Sequence, residues 1–242
     1  MSSTTHVRYE VLRTIRNRRL FIVSVMLPLA VFYAVGSANR HTHSDGVGFP
    51  LYFMTGMAAY GALFAVFSPG ARIAADRATG WTRQVRITPL RVPTYFAAKA
   101  LTAYLIALPS LAVLYLAGAS LGVRLTATQW LEMTGLLLVG LAPFVVMGII
   151  VGHLVKADTL PAAMGGLVVL FALFGGAFGA FFTRGAMLTA VKLLPSYWLV
   201  QAGKTALGGG SWPAEGWVVT AAWTAVLVLL AALVYRRDTS RI

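Results

Sequence analysis

Two short strings in this sequence carry residue types capable of chemistry. His41-Thr42-His43-Ser44-Asp45 gathers two imidazoles and a carboxylate within five positions, donor types that ligate divalent metals. Gly203-Lys204-Thr205 repeats the end of a phosphate-binding loop, in which backbone amides cradle phosphate oxygens and the lysine meets their charge. Neither string completes its pattern. The first occupies a short connection that needs polar residues simply to remain in water, so it predicts no metal. The second would need its first glycine at position 198, which is Trp198, and no strand pattern precedes it.

Acid-base chemistry fares no better. The acids are Glu10, Asp45, Asp76, Glu132, Asp158, Glu215 and Asp238, and each lies at or beyond the end of an apolar run. There is no HExxH, no GxSxG and no pair of carboxylates within one apolar helix, so a catalytic or proton-relay group at membrane depth is not in evidence. Without cysteine there is no thiolate nucleophile, thiolate metal site or disulfide. His153 and Asp158 bracket a tight turn with Lys156 and are expected only to solvate it.

The elements that would carry these strings are set by composition. Mean hydropathy is +0.76 and 11% of residues are charged, far from what a water-exposed surface requires. Lipid is therefore the expected solvent. A helix needs about 20 apolar residues to cross the hydrocarbon core, and six uncharged intervals approach or exceed that length: Leu20 to Asn39, Gly46 to Ala71, Ala100 to Val123, Met133 to Gly152, Thr159 to Thr183 and Gly216 to Tyr235. The predicted fold class is all-α integral membrane with six spans in one domain, residues 1–242. The apolar piece Leu193 to Gly203 contains Pro195 and is too short to cross, so it is expected at, or dipping into, the interface.

The formal charge of +13 could suggest nucleic acid, but the basic residues sit in short clusters at the ends of the apolar runs, which argues against it. The same clusters set orientation. Fifteen Lys and Arg fall on the side of both termini and five on the other, so the termini are expected in the cytoplasm of a bacterial cell membrane. Gly36-Ser37-Ala38 after the first run imitates a signal-peptide cleavage site, but that run is long and contains Pro28, and is read as an uncleaved span. The segment with Val7, Val11 and Ile15 on one face and Arg8, Arg13, Arg16 and Arg19 beside it reads equally as an interfacial helix and as a basic flank. Within the spans, Gly118 with Gly122, Gly148 with Gly152 and Gly175 with Gly179 stand at a spacing that allows close helix packing or dimerisation.

The second connection is the anomaly. Between Arg72 and Ala100 lie six of the twenty Lys and Arg residues, on the expected cytoplasmic side. Trp81, Val85 and Thr88 form one helical stripe, Arg83 and Arg86 turn away, and Pro89 stops the helix. Such an island is either a solvated basic loop or a docking element for a soluble partner. At these residues the chain resembles the ABC-type-2 family of ATP-binding-cassette transporter permeases, whose cytoplasmic signature looks like E-R-E-x-G-T-x-E-x-L-x-x-T-P-L. Asp76-Arg77, Gly80, Val85 and Thr88-Pro89-Leu90 match it. Ala78, Trp81 and Arg83 depart from it and make the island more basic.

The resemblance implies a permease subunit without catalysis of its own, exporting a drug-like, antibiotic-like or lipid-like amphiphile, or a glycan. It implies an amphipathic N-terminal helix, and a dimer with itself or a second permease. A separate ATP-binding-cassette ATPase would carry the ATP and Mg. The coupling element would comprise Asp76, Arg77, Gly80, Trp81, Arg83, Val85, Thr88, Pro89 and Leu90. Short re-entrant helices between Thr183 and Glu215 would place Pro195, Tyr197 and Trp198 at an outer gate, although Tyr197, Trp198, Trp212 and Trp217 equally suit an anchoring interface belt. A competing reading, from the His41 to Asp45 string, is a polytopic enzyme acting on lipid head groups. An anchor that recruits an ATPase without moving cargo is a third.

Overall fold

The structure is a computed structural model that describes residues 18–44, 46–79, 92–179, 181–182, 184–208 and 212–240. The expectation of an interfacial helix over Val7 to Ile15 falls outside these residues. The described elements run α1 (Arg18–Ala38), β1 (His43–Ser44), β2 (Val47–Gly48), α2 (Phe49–Ala78), α3 (Val92–Ser120), α4 (Ala127–Gly140), α5 (Ala142–Leu154), α6 (Leu160–Gly175), α7 (Gly185–Lys192), α8 (Pro195–Gly208) and α9 (Ala214–Ser240). Helix dominates, as the apolar composition demands, because a backbone without water must satisfy its own hydrogen bonds.

Four helical stretches are long and apolar enough to cross a membrane: Phe49–Ala78, Phe96–Ser120, Ala127–Leu154 and Ala214–Val234. Val25–Ala38 and Leu160–Gly175 are shorter apolar helices. The expected fifth interval ran to Thr183, but its helix stops at Gly175. Gly176 takes the left-handed conformation, φ 78°, and the Ala177 N–H returns to the Ala172 carbonyl at 2.9 Å, which closes the last turn. The fourth interval is one helical stretch divided at the single residue Leu141. Pro143 has no N–H to offer the Val139 carbonyl, so the chain ends α4 and restarts as α5 at Leu141. Upstream, α4 opens with a capping box, Thr126 and Gln129 each bonding the other's backbone N–H.

Within the His41 to Asp45 string, His43-Ser44 forms the first arm of a small antiparallel hairpin, an element the composition did not suggest. His43 pairs with Gly48 and Ser44 with Val47, and Gly46 at φ 79° makes the turn. His41 and His43 are exposed and Asp45 lies outside the described residues.

At the centre stands α2, buried on nearly all sides, with α1, α3, α5, α6 and α8 packed around it. A helix that is apolar all round belongs in such a place. Its closest neighbour is α5, running parallel to it. A Cβ placed on Gly152 would stand 2.5 Å from the Gly70 carbonyl oxygen and 2.7 Å from its Cα, and one on Gly148 would meet the Val66 carbonyl oxygen at 3.1 Å. Of the three spaced glycine pairs, only this one packs as a pair on a neighbouring helix, and the neighbour is in the same chain. Gly118 faces Met54, while its mate Gly122 takes φ 90° just past the end of α3. Gly175 faces Ser196 and Val200 of α8, while Gly179 lies in a turn at φ 135°.

In lipid, helices gain little by hiding apolar surface from one another, so close contact supplies the attraction. Gly152→Leu forces α5 away from backbone that cannot yield, and should destabilise the folded chain by about 1–3 kcal/mol. Gly165→Ala, on α6 where no atom lies within 4 Å, should be neutral or slightly stabilising. Thermal melts of the purified chain in detergent separate the two; equal melts would show that the α2/α5 seam is not closely packed.

Candidate functional site

Two regions gather the functional candidates, one at each end of α2. At the Ala78 end, α2 continues as unbroken helix past the expected limit of Ala71 and carries Asp76 and Arg77 on its last turns, both half-buried. The Thr79 hydroxyl donates to the Ala75 and Asp76 carbonyls and helps close that end. Arg77 reaches sideways, its Nη1 donating to the Gly152 carbonyl at 3.4 Å. Arg77, one of the pair expected to open a docking element, is thus tied to the last turns of α5. Gly80, Trp81, Arg83, Val85, Thr88, Pro89 and Leu90 lie outside the described residues, so the structure brings together only the Asp76-Arg77 part of the expected coupling element.

The same end contains two residues of the basic island and one that was expected to solvate a turn. Arg72 on α2, Lys99 on α3 and His153 on α5 are 9%, 3% and 7% exposed, and each is engaged by its neighbours. The Nδ1–H of His153 donates to the Ile149 carbonyl at 2.9 Å, so this imidazole is a helix-bound interior group and not the solvating residue expected of it. A basic residue at the end of an apolar run looks the same in sequence whether it snorkels outward or turns inward. Only the neighbouring helices reveal the difference.

At the Phe49 end lie α7 and α8, between α6 and α9. Pro195 begins α8 and is buried. Proline suits such a start, since the N–H it lacks would have no helical acceptor. The Leu193 to Gly203 piece was expected at the interface, yet Ser196, Trp198, Leu199, Val200 and Ala202 are all buried in the bundle. The cause is steric. Gly140, Gly175 and Gly216 offer flat surfaces to Leu199, Val200 and Trp198 of α8, and Gly203 of α8 itself lies flat against Thr55 of α2. Trp198 and Trp212 are therefore interior residues, 3% and 4% exposed, whereas Trp217 remains 47% exposed. Tyr197 is half-buried and meets the Trp198 ring edge-on at 5.2 Å.

The indoles also serve as caps. Trp198 Nε1 donates to the Lys192 carbonyl at 2.7 Å, and Trp223 Nε1 on α9 donates to the Leu193 carbonyl at 2.8 Å. Both carbonyls end α7 and would otherwise lack a helical partner. Lys204, part of the phosphate-loop imitation, stands inside α8, where its ammonium donates to the Tyr52 hydroxyl at 3.3 Å and sits 4.6 Å from that ring's centre. A loop-then-helix phosphate cradle is not what surrounds it. The region borders an open cavity of about 720 Å³. Trp198→Phe removes one cap while keeping most of the packing, and should lower stability by about 1–3 kcal/mol because the Lys192 carbonyl is left without its donor. Trp217→Phe, at an exposed indole, should change the detergent melting temperature little; equal effects would remove the capping role.

No family model matches the chain. Over 233 residues, 95% of this chain and 95% of the relative, it is 25% identical to the Bacillus subtilis (strain 168) protein named Putative transport permease YvfS. That similarity runs through both end regions and all the apolar helices, and together they describe a membrane-embedded chain similar to a transport permease.

Proposed function

We propose that this protein is the membrane subunit of an ATP-binding-cassette exporter of the ABC-type-2 kind. Six spans would carry it through a bacterial cell membrane, α1 and α6 joining the four long helical stretches. At 1.5 Å per residue the 16 residues of α6 reach about 24 Å, and the turn after Gly175 supplies the remaining depth. Both termini and the Ala78 end would face the cytoplasm, and the hairpin, α7 and α8 the outside. It would pair with itself or a second permease and with an ATPase that hydrolyses ATP on its behalf.

The observation that carries this reading is full-length similarity to a transport permease in a chain whose second apolar helix runs straight into Asp76-Arg77 and the signature beyond it. Asp76 and Arg77 orient the docking element, Gly80 allows close approach, Trp81 and Val85 form its apolar seat, and Arg83 adds charge. Thr88-Pro89-Leu90 closes the signature in sequence, ahead of α3. ATP-driven closure of the ATPases would pull on this element and shift the population between inward-open and outward-open states. Since Arg77 is linked to Gly152, and Gly152 rests on Gly70, α5 would move with α2 and carry α9, which packs on it. The cargo fits a drug-like, antibiotic-like or lipid-like amphiphile, because the expected spans are apolar and their acidic residues stand at or beyond the ends.

Reconstitution with the cognate ATPase tests the proposal. Vanadate-sensitive ATP hydrolysis should be stimulated by the permease, and Asp76→Lys or Gly80→Leu should reduce that stimulation about tenfold, the scale of a typical coupling free energy, without changing the amount of folded protein. Undiminished stimulation by both variants would remove the docking element from the mechanism. Loss of a chemical activity in His43→Ala, in the absence of ATP, would favour a membrane enzyme instead.

A further inference from the structure

The cavity at the Phe49 end contains chemistry that the transport reading does not use. Its lining residues include two cationic ones, Lys192 and Lys204, and one anionic one, the exposed Glu215, so they carry one net positive charge. Gln201 and Thr205 add an amide and a hydroxyl on the α8 face. The indole N–H of Trp212, which also lines the cavity, is buried without an acceptor among the described residues. The Thr205 hydroxyl gives its proton to the Ala202 carbonyl at 2.7 Å, so the cavity offers an unmet indole donor and more positive than negative charge, in a wall completed by Tyr197, Trp198, Pro213 and Ala214.

One lysine has its ammonium held in place and the other its backbone. The Lys192 carbonyl is pinned by Trp198, and Trp198 is backed by Gly216, where a Cβ would stand 2.8 Å from the indole. The Lys204 ammonium is positioned by the Tyr52 hydroxyl and ring, which occupy one of its donors and leave others for a ligand. An ammonium is a compact point charge well suited to phosphate oxygens. We infer that this cavity is a binding site for an anionic phosphate group, with Lys192 and Lys204 meeting the phosphate and the aromatic wall covering the apolar or glycerol part attached to it. The site belongs to this chain alone and requires neither ATP nor a partner, so it stands or falls separately from the transport proposal.

The chain purified in detergent is titrated with dihexanoyl-phosphatidylglycerol, dihexanoyl-phosphatidylcholine and glycerol 1-phosphate, and binding is followed by calorimetry and tryptophan emission. Saturable binding of phosphatidylglycerol, weaker for phosphatidylcholine, is expected, because choline offsets the phosphate charge. Glycerol 1-phosphate much weaker than phosphatidylglycerol assigns the site to a lipid headgroup, while equal affinity assigns it to a soluble phosphate; both outcomes support the inference. Lys192→Gln combined with Lys204→Gln should raise Kd about tenfold, the scale of charge-assisted hydrogen bonds, and Glu215→Gln should lower it. Since Lys204 also holds Tyr52, Lys192→Gln alone and a salt titration of the unaltered chain supply independent readouts, each expected to weaken binding. Equal binding of the two lipids, or affinity unchanged in both lysine variants, overturns the inference.

Discussion

Everything in this fold leans on backbone-to-backbone contact between α2 and α5. Gly70 of one helix and Gly152 of the other approach so closely that no side chain fits between them. The contact matters because apolar side chains in lipid are as well accommodated outside the bundle as inside it, so van der Waals contact must hold the helices together. With α5 laid on one flank of α2, α3 and α1 take others, and α9 is held through α5. Large side chains such as Phe67, Phe144 and Met164 then close the space around the seam.

The far half of α2 is treated differently. There Gly56 and Thr55 receive the turn after α6 and the flank of α8, so a short polar-ended segment is drawn into the bundle. Its irregular backbone is affordable because other groups satisfy it. Two indoles cap α7, one from α8 and one from α9, and Pro195 begins α8 without an N–H to place. The seam near Gly70 and the clamp near Trp198 give α2 a closely packed helical partner at one end and a lined cavity at the other. A motion of α2 relative to α8 would reach both.

Much of this was legible beforehand. Four of the expected spans fall on helical stretches long and apolar enough to cross a membrane and the other two on shorter apolar helices, because a run of uncharged residues has few other solutions in a low-dielectric medium. Pro28, Pro109 and Pro69 did not interrupt their helices, whereas Pro143 did, and a proline's identity alone does not distinguish these outcomes. The Gly148 and Gly152 spacing announced close packing, although whether the partner lay in the same chain could not be read from it. Asp76 and Arg77 were identified through a motif, while Arg72 and Lys99 were counted only as part of a basic island and His153 only as solvating a turn. The difference between a buried and a snorkelling cation resides in the helices beside it.

What the sequence determined by itself is the solvent and the element lengths. Hydropathy is summed over neighbours along the chain, and hydrogen-bond satisfaction in lipid is a local requirement that a helix meets within its own segment. The tertiary structure alone decided which glycines touch, that Trp198 and Trp212 turn inward while Trp217 does not, and that Lys204 meets Tyr52 from 152 positions away. Those outcomes depend on which helix faces arrive at the same height. That height is set by the packing of several helices together, and no single apolar run encodes it.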